Sequence, residues 1–317
     1  MHLVTMKSAG RVVPGALVGD EVLDLAAAAV VLPHARELAG SLRAILAQGP
    51  GALDLIRRLV DETAGGAAER LRESGALRPR TTATLLAPIP DPAMILSCGA
   101  NYREHLREMK TEVPHQPLSF TKSIAAIIGD RAPIVLPKSN PDMVDWEGEF
   151  SAVIGRPCHN VGAGEALDYV AGYTLVNDVS ARDWVAPVFA SKGIMGAIFA
   201  WELNLLGKQF PTFCPMGPVL ATCDEIPDPD DVDLKTTLNG EVMQSANTDD
   251  LVFNVAALIA HYSRFYRFQP GDVITTGSPA GVGYGRTPQK FMRPGDQIAV
   301  HAAGIGTLTN PVTSAAG

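Results

Sequence analysis

In Asp145-Trp146-Glu147-Gly148-Glu149-Phe150 two carboxylates flank a glycine just before an apolar run, and a third acid, Asp178, closes a second apolar run, Tyr173-Thr174-Leu175-Val176. Residues two apart on an extended strand point to one face, so Glu147 and Glu149 can reach a single ion, and Gly148 leaves room for a close approach to the backbone. Three hard oxygen donors with no thiolate or imidazole favour Mg²⁺ or Mn²⁺ over Zn²⁺. Taken alone, Glu-Gly-Glu reads as a solvated strand face. The apolar neighbours reverse that reading, because carboxylates at the ends of buried strands require a cation.

Three further groups carry chemistry. His105 and Glu108 lie three apart in Arg103-Glu104-His105-Leu106-Arg107-Glu108, so on a helix they share a face and the carboxylate can orient the imidazole; a plain solvated helix fits the same residues. Lys208 is a lone cation in the apolar, aromatic stretch Leu206 to Pro215, where it either pairs with an anion or snorkels to the surface. Thr275-Thr276-Gly277-Ser278-Pro279-Ala280-Gly281-Val282-Gly283 offers hydroxyls and backbone N–H groups suited to cradling a small carboxylate, or forms an ordinary tight turn. It lacks the helix-opening context of a dinucleotide loop. The other histidines, His2, His34, His115, His159, His261 and His301, show no metal-binding spacing.

The elements that must position these groups fall into two parts. Residues 1–85 begin with short strands, Leu3 to Met6, Val12 to Leu17 and Val22 to Leu25, followed by helical spacing over Leu38 to Leu46, Leu53 to Val60 and Ala64 to Ala76. The proline-stiffened run Leu85 to Pro92 marks the boundary with residues 86–317. There Met94 to Cys98 reads as a buried strand leading through Gly99-Ala100 into a helix over Tyr102 to Met109, with Asn101 as N-cap and Glu104 completing a capping box. Strands then dominate, interrupted by a helix over Asp250 to Tyr266, and Gly and Pro punctuate at short intervals. The pattern is an α+β, β-rich fold, rolled or sandwich-like rather than alternating βαβ.

Composition narrows the partners. The 317 residues are 46% hydrophobic, enough for a substantial core, and no apolar run approaches the length of a membrane span. Met1-His2-Leu3-Val4-Thr5-Met6-Lys7 lacks a signal-peptide build, and four cysteines without paired spacing fit reduced thiols, so the expected location is cytoplasmic. With 34 acidic against 26 basic residues and no basic cluster, neither nucleic acid nor a membrane is an expected partner.

Gly99-Ala100-Asn101-Tyr102 with His105 and Glu108, Asp145-Trp146-Glu147-Gly148-Glu149, Asn177-Asp178-Val179-Ser180-Ala181-Arg182-Asp183, Gly207-Lys208, Phe213-Cys214-Pro215-Met216-Gly217-Pro218 and Thr276-Gly277-Ser278-Pro279-Ala280-Gly281-Val282-Gly283 together resemble the fumarylacetoacetate hydrolase family. The match runs from about residue 95 to 313, where Gly304-Ile305-Gly306-Thr307-Leu308-Thr309-Asn310 is similar to that family's closing strand. The resemblance implies a catalytic domain built as a mixed β-sandwich roll, a small N-terminal α+β domain, a homodimer, and a divalent metal, Mg²⁺ or Mn²⁺, on Glu147, Glu149 and Asp178. It implies roles as well: His105 with Glu108 as a water-activating dyad, Lys208 as charge stabiliser, and Arg182, Thr276, Gly277 and Ser278 in contact with substrate. Tyr102, Lys122 and Asn239 are further expected pocket neighbours. Where relatives carry a glutamine three residues after the arginine, this chain has Val185. The apolar stretch Trp184 to Leu206 either walls the pocket, favouring an apolar or aromatic tail on the substrate, or makes a dimer or core contact.

The expected activity is hydrolysis of a carbon–carbon bond in a β-diketo acid such as an acylpyruvate or fumarylpyruvate-like compound. Decarboxylation of an oxaloacetate-like acid, or isomerisation of a 2-hydroxy-diene-dioate, is the alternative on the same scaffold, and a non-catalytic protein binding a diketo acid is a third.

Overall fold

The computed structural model describes residues 1–315. Its main sheet has 12 strands, running in spatial order Leu77–Pro79, Glu21–Asp24, Arg11–Val18, His2–Ser8, Cys214–Thr222, Val170–Asn177, Gly148–Ile154, Val273–Thr275, Ile95–Gly99 and Leu118–Thr121, with Thr84–Leu85 and Ile127–Ile128 added alongside. A five-stranded sheet, Glu241–Asn247, Asp233–Leu238, Gln297–Ala302, Gly306–Ser314 and Ile134–Leu136, packs against it. This is the strand-rich α+β sandwich expected from the sequence.

Every residue of Gly148–Ile154 is buried, which an alternating strand achieves only when both faces are covered. Phe150, Ala152 and Ile154 point into a core shared with Leu234, Val300 and Leu308 of the smaller sheet. Val153 points the other way, with Val176, Leu220 and Val273, into a second core closed by Leu25, Leu38, Leu42, Ile56 and Leu59 of the N-terminal helices. The helix Pro50–Glu62 illustrates how the sequence builds that cover: proline opens it, and Ala52, Ile56 and Leu59, four and three apart, form the buried stripe.

Several elements differ from expectation for identifiable reasons. The helix expected over Asp250 to Tyr266 is confined to Val255–Tyr262, because the Asn254 side chain caps it by accepting from Ala257 N at 3.0 Å. Asn101 is not an N-cap: its amide donates to the carbonyls of Phe253 and Thr276 at 2.9 and 2.8 Å and its oxygen accepts from Phe253 N. Asp250 takes the cap of the helix Arg103–Glu108 instead, accepting from Glu104 N at 3.0 Å. The stretch after Trp184, left without an assigned element above, forms two helices, Val185–Ala190 and Gly193–Leu206.

Candidate active site

Strand register brings the three acids together. Gly148 pairs with Asn177 across the antiparallel strands, Asp178 N donates to Glu147 O at 2.8 Å, and Glu147 N donates to Asn177 Oδ1 at 2.9 Å. One carboxylate oxygen from each of Glu147, Glu149 and Asp178 lies within 4.8 Å of the others, and all three residues are buried. Gly148 is required between them, since a Cβ there would clash with the buried Thr236 hydroxyl and crowd Val300 Cγ1 at 3.0 Å.

Cations surround the cluster. Lys208, just past the helix Gly193–Leu206, donates from Nζ to Glu147 Oε2 at 2.7 Å, Asp178 Oδ2 at 2.8 Å and Ser180 Oγ at 2.6 Å. Lys122, with a fully buried side chain, bonds Asp178 Oδ1 and the Lys208 carbonyl, the latter at 2.7 Å. Arg182 reaches Asp145 Oδ2 at 2.9 Å and Glu147 Oε1 at 2.6 Å. Asp145 in turn accepts from Gly283 N and Tyr284 N at 2.7 and 3.0 Å, tying the acids to the glycine-rich turn.

The charges are unequally compensated. Burial alone would raise the Glu147 pKa, but Lys208 and then Arg182 outweigh it and hold that carboxyl well below the usual range. Burial likewise works to discharge Lys208, and Asp178 and Glu147 reverse the outcome, leaving its pKa above the ordinary lysine value. Glu149 has no such partner. Burial first, then the charges of Asp178 and Glu147, push its pKa well above the carboxylate norm. The nearby Thr275 hydroxyl offsets part of this without reaching hydrogen-bond geometry, and among the described residues neither Glu149 oxygen has a partner. Two orphaned oxygens at the meeting point of three hard donors fit a divalent cation.

His105, with Glu108 behind it, faces this cluster across a cavity of about 160 Å³ lined by Cys98, Gly99, His105, Glu147, Asp178, Lys208 and Ser278 on its polar side. His105 Nδ1 lies 3.1 Å from Glu108 Oε2, and both Glu108 oxygens accept from Gly281 N, at 3.0 and 3.1 Å. The remaining expected residues are placed differently. Arg182 is engaged by Asp145 and Glu147 and does not line the cavity. Thr276 directs its hydroxyl to Phe150 O at 2.9 Å, and Gly277, at φ 93, packs against Asn101, so of that turn only Ser278 reaches the cavity. Tyr102 is fully buried and absent from the lining. Asn239 occupies, with Gly240, the positive-φ turn joining two strands of the smaller sheet and bonds Asp296.

Two contributors carry no local signal. Gln244, on Glu241–Asn247, accepts from Gly148 N at 3.0 Å and donates to Ser278 Oγ at 2.9 Å. Asp145, next to the acidic pair, serves Arg182 rather than the cluster. Both act across the fold on partners far away in sequence, where periodicity and spacing give no hint.

A strand-rich sandwich with a buried acid cluster, a lysine and a histidine–carboxylate pair around one cavity is a metal-assisted enzyme site in form. Residues 94–313 match the family model described as fumarylacetoacetate (FAA) hydrolase C-terminal. The chain is 38% identical over 294 residues to the bovine (Bos taurus) protein named oxaloacetate tautomerase FAHD2A, mitochondrial, covering 93% of this chain and 84% of that one. Among solved structures it is similar to the 5-carboxymethyl-2-hydroxymuconate delta-isomerase from Mycobacterium smegmatis, with TM-score 0.72, 31% identity and coverage of 99% and 100%. It is also similar to the maleylpyruvate hydrolase from Sphingobium sp. SYK-6 in complex with manganese (II) ion and pyruvate, with TM-score 0.70, 26% identity and coverage of 100% of both chains. The chain belongs to the fumarylacetoacetate hydrolase family.

Proposed function

We propose that this protein moves a proton at the carbon beside the 2-oxo group of a 2-oxo acid, interconverting keto and enol forms. The observation that carries this reading is a histidine–carboxylate pair facing Lys208 and the acid cluster across one cavity. Similarity to an oxaloacetate tautomerase and to a delta-isomerase supports proton transfer over the carbon–carbon hydrolysis expected first from the sequence.

Glu147, Glu149 and Asp178 would hold a divalent cation, Mg²⁺ or Mn²⁺, which when bound supplies Lewis acidity and positive charge for the developing enolate. Glu108, fixed by Gly281 N, holds His105 through Nδ1 and leaves Nε2 as the ring nitrogen that takes the proton from carbon and returns it. Lys208 stays an ammonium and adds to the field that stabilises enolate oxygen. Five carboxylates, with Asp145 and Glu108 included, stand against Lys122, Lys208, Arg182 and a dication, so the charges balance and a carboxylate substrate is not repelled. Arg182 acts in this scheme by fixing Glu147, not by touching substrate.

The test is exchange of the carbon-bound proton of oxaloacetate for deuterium, followed by NMR with Mg²⁺ present. The wild type should catalyse it, and His105→Ala should lower the rate by on the order of 10² to 10⁴. An unchanged rate in that variant removes the base from the mechanism. Carbon–carbon hydrolysis is the second reading, favoured by the maleylpyruvate hydrolase likeness; it needs water at the same base, and release of pyruvate from an acylpyruvate would report it.

The same reading includes an aqueous reducing compartment such as the cytoplasm, in keeping with four free cysteines, three of them buried, and with no helix among the described residues long and apolar enough to cross a membrane. It includes a homodimer too. Phe189, Ile194, Met195, Ile198 and Phe199 form an exposed apolar surface on the two helices after Trp184, with Ile194 79% exposed, and a second copy is the partner we assign to it. Light scattering should give twice the 33.5 kDa chain mass; a monomer at micromolar concentration removes that part of the reading.

A further inference from the structure

The cavity has a second half that the proton-transfer chemistry does not use. Besides the polar residues already described, it is lined by Leu118 and Phe120 from the strand Leu118–Thr121 and by Trp201, Asn204 and Leu205 from the helix Gly193–Leu206. Positions 201, 204 and 205 recur at helical spacing, so they form one stripe, with Lys208 in the turn just past the helix end at the acid cluster and Trp201 at the far end. At 1.5 Å rise per residue, the helical part of that stripe runs for about 6 Å. Phe120 continues the surface, with its ring centroid 5.3 Å from Lys208 Nζ.

We propose that Trp201, Leu205, Phe120 and Leu118 form a subsite for an apolar tail, so that the preferred 2-oxo acid carries an aryl or branched alkyl group where a dicarboxylic acid would carry its second carboxylate. This rests on the proton-transfer reading and specifies its substrate class. Among the described residues, the only Lys or Arg lining the cavity is Lys208, and its ammonium is already held by Glu147, Asp178 and Ser180. A second carboxylate placed along the stripe would lie against indole and leucine with the Asn204 amide but no cation to meet it, which disfavours it relative to an apolar group. An apolar ring there removes Trp201, 50% exposed in the free protein, from water.

Two measurements test the proposal separately from the chemistry. The first is titration calorimetry of the Mg²⁺-loaded protein with oxamate and N-phenyloxamate, unreactive mimics of the 2-oxo acid end that differ only in the ring. N-phenyloxamate should bind at least tenfold more tightly, and Trp201→Ala should remove most of that difference while Trp201→Phe keeps it. Equal affinity of the two mimics in the wild type overturns the subsite, whatever the enzyme catalyses. The second is the ratio of kcat/KM for deuterium exchange into phenylpyruvate and into oxaloacetate. It should favour phenylpyruvate in the wild type and shift toward oxaloacetate by at least tenfold in Leu205→Arg. A wild-type preference for oxaloacetate, or a ratio unmoved by Leu205→Arg, overturns the substrate assignment. Tight binding of N-phenyloxamate with no exchange into either acid sinks the proton-transfer reading and leaves the subsite standing.

Discussion

A buried carboxylate with no donor on either oxygen is costly, and Glu149 is such a group beside two other acids. Its folded pKa lies above the 4.5 of an ordinary glutamate, so the fold holds this proton at pH values where the unfolded chain has released it. The corresponding stability is full below pH 4.5 and is lost as pH rises through the folded value. A cation that takes the carboxylate must displace the proton. Wherever Glu149 still holds that proton, magnesium uptake should therefore release it, seen as a calorimetric heat that depends on the ionisation enthalpy of the buffer. Glu149→Gln should be at least as stable as the wild type in chelator, yet fail to gain the roughly 2.7 kcal/mol that a hundredfold excess over Kd confers on a binding-competent protein. A full magnesium-dependent rise in the midpoint of that variant would mean that the ion sits elsewhere.

At the scale of elements, the helix Arg103–Glu108 carries His105, the proposed base, but has little of its own to hold it, since only Leu106 is buried. Its start is fixed by Asp250 and its end by the bond from Gly281 to Glu108. Asp250→Ala should cost about 1 kcal/mol of local order. Amides 103–108 should then exchange faster with deuterium while those of Gly148–Ile154 do not change; equal protection in both proteins would show that the cap is dispensable. The sequence made the acids legible because strand alternation and a flanking glycine are local signals. It also pointed to His105, Glu108 and Lys208 through helical spacing and an unbalanced charge. Lys122, expected only through the family resemblance, Asp145, quoted in the acidic motif but without a role of its own, and Gln244 bond partners 30 or more residues away, such as Asp178 for Lys122 and Gly148 for Gln244, which local periodicity and spacing do not reveal. Asn101 misled for a related reason: its capping potential was real, but tertiary acceptors at Phe253 and Thr276 outcompeted the helix.

Across the whole molecule, the division near residue 85 separates two stretches of sequence that share one sheet. His2–Ser8 pairs with Cys214–Thr222, and the N-terminal helices close a core that includes Val153 and Val273. We infer that residues 1–85 brace the site-bearing residues 86–317. A chain of 86–317 alone should expose both a strand edge and that apolar face, and so should be recovered as aggregate or as a species lacking cooperative unfolding. Recovery of a monodisperse, cooperatively unfolding, active 86–317 would refute the bracing role.

The double cover over Gly148–Ile154 also fixes where movement can occur. The acids stand on a floor packed from above and below, whereas the proposed base and most of the apolar stripe belong to two helices, Arg103–Glu108 and Gly193–Leu206, in which Leu106 and Ala200 respectively are buried and most other residues are at least partly exposed. Any movement that admits substrate or releases product thus falls to the walls and leaves the alignment of the oxygens beneath undisturbed.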